Sequence, residues 1–134
     1  MKIERTNVSW LRPPTGWSHR VVAPAGRTLY VSGLGPLDAH GDVADKDDLG
    51  AQALVTFRKI RRTIEEAGAT SADVVKEHIY VIELSAEKMA IVEDAAREVF
   101  GDSYAPAVTA VGVTSLGHPD MLIEVDCTVL LDQE

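Results

Sequence analysis

The chain has 134 residues, of which 46% are hydrophobic and 25% charged, and its formal net charge at pH 7 is −8. This size and composition predict one globular domain, residues 1–134, that can bury an apolar core without a disulfide or a metal. The acidic balance argues against a nucleic-acid partner, because binding to phosphates requires a basic surface that displaces their counterions.

The N-terminal region contains no apolar segment of the kind found in signal peptides, and no stretch of the chain is long and apolar enough to span a membrane. We therefore expect a cytoplasmic protein with no membrane partner. Residues 1–11 alternate weakly between apolar and polar side chains, which predicts an edge strand. Two prolines and a glycine, Pro13, Pro14 and Gly16, end it in a loop.

Two short runs rich in β-branched residues follow, Ser18–Ala23 and Thr28–Ser32. The four residues between them, 24–27, are Pro-Ala-Gly-Arg, a sequence typical of a turn. This arrangement predicts a β-hairpin.

The next segment has a helical period. Apolar residues recur every three or four positions from Leu49 to Ile64, which predicts an amphipathic helix over about Lys46–Ala67 with Gly68 as its C-terminal cap. A strand is predicted over Val74–Leu84. A second helix then follows, with Ser85 as its N-cap, and ends at Gly101.

The C-terminal segment, Tyr104–Leu131, reads as a hairpin of two strands joined by a loop of glycine, histidine, proline and aspartate. The predicted order is β-β-β-α-β-α-β-β, an α+β domain of two layers in which both helices cover one face of a mixed sheet. The second face is half apolar, so we expect another subunit to cover it.

The last strand separates apolar from polar residues with a period of two. Ile123, Val125 and Cys127 point to one face, and Glu124 and Asp126 point to the other. Cys127 is the only cysteine, and we expect it to be a buried packing residue. Glu124, on the face expected to meet another subunit, would be partly desolvated and suited to move a proton to or from water. The alternative is a solvated or ion-paired strand carboxylate.

The four histidines and the cysteine have none of the spacings of a metal site, so no metal is predicted. Several segments, taken in their order and spacing, resemble the Rid superfamily, also called YjgF. The segments are LYVSGLGPLD (29–38), Gly-Asp (41–42), EEAGATSADVVKEHIYV (65–81), PAVTAVGVTSL (106–116) and LIEVD (122–126).

The resemblance implies a chorismate-mutase-like fold assembled as a homotrimer, with small-molecule sites in the clefts between subunits. The best-known members of the family hydrolyse reactive enamines and imines to 2-keto acids and ammonia, without a metal or other cofactor. Their sites combine an arginine that holds the substrate carboxylate, a glutamate that positions water, an aromatic residue near the N-terminus and a serine-glycine turn.

Carried over by motif, the glutamate corresponds to Glu124, which is then the expected catalytic residue, and the serine-glycine pair to Ser32 and Gly33. The aromatic residue, usually a tyrosine, is Trp17, which retains the ring and lacks the phenol. In the family an arginine follows Pro-Ala, and in this sequence that position is occupied by Val108. A substrate carboxylate would therefore meet an apolar wall.

Arg20 is the cation near these motifs that could replace the missing arginine, and the alternative is a strand residue that points to solvent. Two functions remain open: an imine deaminase with an altered substrate, and a non-catalytic trimer that binds a small apolar or aromatic metabolite. Ribonuclease activity, ascribed to some members of the family, fits poorly with the net charge of −8.

Overall fold

The computed structural model describes residues 2–132. Its elements follow the predicted order β-β-β-α-β-α-β-β, with a single 3₁₀ turn, Ser71–Asp73, before the fourth strand. The strands are β1 (Glu4–Thr6), β2 (Arg20–Val22), β3 (Thr28–Leu34), β4 (Val74–Ile82), β5 (Ala107–Val113) and β6 (Ile123–Leu130), and the helices are α1 (Leu49–Glu66) and α2 (Ala86–Phe100).

The main sheet has four strands in the order β3-β6-β4-β5. β4 and β5 are parallel, and the other two pairs are antiparallel, so the sheet is mixed as predicted. Helices α1 and α2 pack on each other and on one face of this sheet. The predicted α+β architecture of two layers is confirmed.

Both predicted hairpins are wrong. β2 pairs with β1 in a separate ribbon of two strands, and β3 pairs with β6. The turn at residues 24–27 packs against the end of β6, where Arg27 holds Asp132 through two hydrogen bonds of 2.6 and 3.0 Å, instead of folding β3 back on β2. In the C-terminal segment β4 lies between β5 and β6, so these two strands are not neighbours.

The predicted caps Gly68, Ser85 and Gly101 lie at the ends of the helices, and Asp48 is an additional cap at the start of α1. Asp48 accepts a hydrogen bond of 3.0 Å from the Ala51 amide, and α1 begins at Leu49, a few residues later than predicted. Gly68, just beyond its last turn, has φ +93°, a backbone conformation that favours glycine. Ser85 caps α2 in the same way. Within the described residues no helix combines the length and apolarity needed to cross a membrane.

The core lies between the two helices and the covered face of the sheet. The alternation predicted for β6 is confirmed, because Ile123, Val125 and Val129 are fully buried and the cysteine between them, Cys127, is 2% exposed. On the opposite face Tyr30 is 77% exposed and Val111 is 40% exposed. That second face is therefore the half-apolar surface that the sequence predicted.

Candidate functional site

Glu124 lies against the backbone of Gly33 on the second face of the sheet. The register of β3 and β6 shifts between Val31 and Leu34, which places Ser32 and Gly33 in an irregularity of β3 beside β6. A β-carbon on Gly33 would overlap Oε2 of Glu124 and lie 2.9 Å from its Cδ. Gly33 and Glu124 are therefore in contact, and Ser32 is an exposed residue in the same irregularity.

Next to Glu124 lies a hydrogen-bonded cluster that includes Tyr80, its register partner on β4. Asp126 accepts a hydrogen bond of 3.2 Å from the Tyr80 hydroxyl, and its other oxygen lies 2.8 Å from Nδ1 of His78. Burial, followed by the charges of Asp126 and Glu124, raises the pKa of Tyr80. The sequence alone does not place His78 beside Asp126, because that requires the register of β4 and β6.

Trp17 and Val108 line a cavity of about 220 Å³ on the other side of the sheet, between β4, β5, α2 and residues 15–17. Ser18, which follows Trp17, fixes the position of this segment. Its hydroxyl donates to the Ala105 carbonyl at 2.7 Å, and its amide donates to the Pro106 carbonyl at 3.0 Å. Within one subunit, the predicted site residues other than Arg20 thus form two groups on opposite faces of the sheet.

The cavity also contains a buried carboxylate that sequence reasoning did not select. Glu77 is 1% exposed and accepts a hydrogen bond from the Tyr104 hydroxyl. Burial is the main cause that raises the pKa of Glu77 to about 7, with a smaller contribution from the charge of Asp126, while the Tyr104 hydrogen bond acts in the opposite direction. The alternation of β4 could have indicated that Glu77 is buried, because Glu77 lies on the same side of the strand as Ile79 and Val81.

Tyr104 is itself held in place. Its ring stacks on Phe100 with centroids 4.2 Å apart, and burial together with the neighbouring Glu77 raises its pKa well above the ordinary value. The Tyr104 hydroxyl is therefore protonated at neutral pH and acts as the donor to Glu77.

Arg20 and Arg97 differ in position. Arg20 lies on β2, where its exposed side chain donates to the Thr6 hydroxyl at 3.1 Å, and it is not among the residues that line the cavity. Arg97 of α2 does line the cavity and lies 3.4 Å from Asp94 and 3.8 Å from Asp102. In the described part of the chain, no group of three or more histidine, cysteine or acidic side chains is placed to hold a metal ion.

A model of the family described as Endoribonuclease L-PSP matches residues 9–131. A RutC family protein of Pyrococcus abyssi is 35% identical to the chain over 101 residues, which are 75% of this chain and 76% of that protein.

Two crystal structures extend the comparison. A Rid family protein of unknown function from Yersinia pestis, YyfB, has a TM-score of 0.88 at 32% identity and covers 98% of this chain and 100% of its own. A YjgF family member from Mycobacterium tuberculosis has a TM-score of 0.64 at 30% identity, with 86% of each chain covered. The chain therefore belongs to the Rid (YjgF) superfamily, whose family model is described as Endoribonuclease L-PSP.

Proposed function

We propose that the protein hydrolyses a small reactive imine or enamine to a carbonyl compound and ammonia. The observation that carries this proposal is the contact between Glu124 and Gly33, since it holds a half-buried carboxylate on a sheet face that the helices leave uncovered. A carboxylate in that position can accept a proton from water.

In the proposed reaction, water adds to the carbon of the C=N bond while Glu124 takes its proton. Glu124 returns that proton to the nitrogen, which gives a neutral carbinolamine. The C–N bond then breaks as the carbinolamine hydroxyl proton is transferred through Glu124 to the nitrogen, so that ammonia leaves and a carbonyl group remains. This balance needs only water as a second reactant, so no cofactor is part of the proposal.

The proposed site lies between the subunits of a homotrimer. Support comes from the two groups of predicted residues, because Glu124 with Gly33 and Trp17 with Val108 lie on opposite faces of one subunit. A neighbouring copy could place its Glu124 group against the cavity of the first. The exposed Tyr30 and Val111 side chains give that sheet face apolar area to bury in such a contact.

The proposed substrate lacks a carboxylate. An arginine in place of Val108 could donate two charge-assisted hydrogen bonds to a carboxylate, each contributing about 1.5–3 kcal/mol. Valine donates none, and Arg20 is engaged with Thr6 on the ribbon of β1 and β2. Imines derived from simple amines therefore suit the site better than 2-imino acids.

The test follows ammonia release from imines made in the reaction mixture. An amine oxidase generates imines without a carboxylate from primary amines. An amino-acid oxidase or a threonine dehydratase generates imines and enamines that carry a carboxylate. We expect faster ammonia release for the first class and loss of that acceleration in Glu124→Gln. Glu98→Gln, an exposed change on α2, is the matched control.

A second candidate function is non-catalytic binding of a small aromatic or apolar metabolite. The apolar lining of the cavity, which includes Trp17 and Val108, favours it. If neither class of imine is hydrolysed faster than in buffer, the hydrolase proposal fails, and binding followed by mass spectrometry of a metabolite pool tests this alternative. RNA cleavage is the least favoured function because the net charge is −8.

A further inference from the structure

The cavity beside β5 combines apolar walls with one fully buried carboxylate. Its walls include Trp17, Ile79, Met89, Val92 and Val108, and Glu77 is 1% exposed. Its volume is about 220 Å³. A small ligand with one aromatic ring therefore fits.

Glu77 forms no ion pair in the described part of the chain, and the nearby Arg5, which acts electrostatically on Tyr104, donates a hydrogen bond to the Ala72 carbonyl instead. None of the ion pairs found there includes it, and its one recorded side-chain hydrogen bond comes from Tyr104. A carboxylate has two oxygens, each with room for more than one donor. The Tyr104 hydroxyl thus leaves part of the acceptor capacity of Glu77 unused.

The register of the sheet places Val108 beside Glu77 in this cavity. Val108 is the register partner of Glu77 on β5, so the side chains of these two residues point to the same face. An arginine in place of Val108 would lie beside the Glu77 carboxylate and neutralise it. With valine there, the negative charge of Glu77 can instead be neutralised by a cation that enters the cavity.

We infer that this cavity binds a small ligand in which a protonated nitrogen (a primary amine, an amidine or an iminium) is attached to an apolar or aromatic group, with Glu77 as the residue that binds the nitrogen. Tyr104 is a positioning residue, because its hydroxyl holds the Glu77 carboxylate and its ring is stacked on Phe100. The binding inference stands on the cavity alone. The identification of this ligand class as the substrate class rests on the proposed function.

The charges at the cavity mouth agree with a cationic ligand. Glu93 and Asp102 line the cavity together with Arg97, which is already paired with Asp94 and Asp102. With Glu77 included, acidic groups outnumber basic ones in the lining. A ligand carboxylate would be repelled by Glu77, whereas an ammonium group would form a charge-assisted hydrogen bond with it.

Binding is expected to depend on pH, because an ammonium group interacts best with the ionised carboxylate. Burial raises the pKa of Glu77 to about 7, so most of its population is neutral at pH 6 and ionised at pH 8. A simple amine stays protonated over this range, as lysine does. The other titratable or charged groups around Glu77 are Tyr104, Cys127 and Asp126 of β6, and Arg5, which acts on Tyr104. Helix α2 and the residues after it add Glu93, Arg97 and Asp102 in the cavity lining.

The experiment titrates the full chain with benzylamine and, separately, with benzoate by calorimetry at pH 6 and pH 8. The two probes have similar aromatic bodies and carry opposite charges. We expect benzylamine to bind about tenfold more tightly at pH 8 than at pH 6, in line with the ionised fraction of Glu77. Benzoate is expected to bind at least about tenfold more weakly than benzylamine at pH 8.

Two variants separate a direct role of Glu77 from a general effect on the cavity. Glu77→Gln keeps the shape and an acceptor for Tyr104, and it is expected to abolish both benzylamine binding and its pH dependence while circular dichroism stays unchanged. Val108→Arg is expected to lose benzylamine binding and to bind benzoate more tightly than the parent chain does. Equal or tighter binding of benzoate by the parent, no binding of benzylamine, or unchanged benzylamine binding in Glu77→Gln would each overturn the inference.

The binding of benzylamine and the hydrolysis of imines can fail independently of each other. Benzylamine binding without any acceleration of imine hydrolysis would remove the hydrolase and leave the cavity as a binding site for amines. Imine hydrolysis that depends on Glu124 and is unaffected by Glu77→Gln would retain the hydrolase and remove this cavity from its site.

Discussion

Gly33 and Glu124 are matched to each other: the glutamate carboxylate occupies the space that a side chain at position 33 would need. A β-carbon there would lie 2.9 Å from Cδ and 3.2 Å from Cγ of Glu124 and would overlap Oε2. The position of the carboxylate thus depends on the absence of a side chain on the neighbouring strand.

Gly33→Ala is therefore expected to displace the Glu124 carboxylate. Because the displaced atoms are the end of a flexible side chain, the free energy of unfolding should change by less than about 1 kcal/mol, a typical effect of an exposed substitution. A shift of about 1 Å in a catalytic group can lower the rate by about 100-fold. Steady-state ammonia release and chemical denaturation measure the two effects separately.

Gly117→Ala is the matched control, because a β-carbon there meets no atom within 4 Å. It should leave both the rate and the stability unchanged. Full activity in Gly33→Ala would argue that the position of the Glu124 carboxylate is not important for the reaction.

The elements with a clear period could be predicted from the sequence. The stripe from Leu49 to Ile64 gave α1, and the alternation from Ile123 to Val129 gave the two faces of β6, because side-chain burial imposes these periods locally. The face of Glu124 followed from the same alternation.

The pairing of strands could not be predicted in the same way, since a turn sequence reports the local backbone and not its partner. The turn at 24–27 looked like that of a hairpin, yet β3 gains its neighbour from β6, about 100 residues later in the chain. The separation of Glu124 from Val108 depends on the same long-range register. The extent of the burial of Glu77 could not be predicted either, because it depends on the elements that pack over β4.

Glu77 should make the protein less stable as pH rises. Its pKa is 4.5 ordinarily and about 7 in the folded chain, so between these values the folded state binds more protons than the unfolded state. The stabilising effect of the buried neutral carboxyl is complete below pH 4.5 and is lost as pH rises to about 7. The difference corresponds to about 3 kcal/mol.

Glu77→Gln removes this titration. Relative to the parent chain, we expect the variant to gain about 3 kcal/mol of unfolding free energy between pH 4 and pH 8, with most of the change below pH 7. Urea denaturation at a series of pH values measures the difference. The control is Glu98→Gln, an exposed change on α2, whose unfolding free energy should vary with pH as that of the parent does. A constant difference between parent and Glu77→Gln would show that the pKa of Glu77 is the same in the folded and unfolded chain.

Cys127 should be unreactive in the native protein. Burial, followed by the charges of Glu77 and Asp126, raises its pKa to about 12, so roughly one thiol in ten thousand is ionised at pH 8. We expect a thiol reagent to label the native chain at the rate of unfolding and to label it at once in denaturant. Ser115→Cys adds an exposed thiol as the control and should be labelled rapidly without denaturant.

The second face of the sheet should be the subunit contact. Val111, 40% exposed, is the register partner of Tyr80, which in turn pairs with Glu124, so it lies in the face proposed to meet a neighbouring copy. Val111→Lys places a charge on this face and on an edge strand, where lysine opposes association. Sedimentation of the parent is expected to give three times 14.5 kDa, and that of the variant a smaller species.

Ile91→Lys is the control for this prediction, because Ile91 is exposed on α2, in the helix layer away from the second face. It should sediment as the parent does. If Val111→Lys remains trimeric while Ile91→Lys dissociates, the contact involves the helix layer instead. If the parent is a monomer, Glu124 and the cavity of Trp17 and Val108 stay on opposite faces, and no shared site exists.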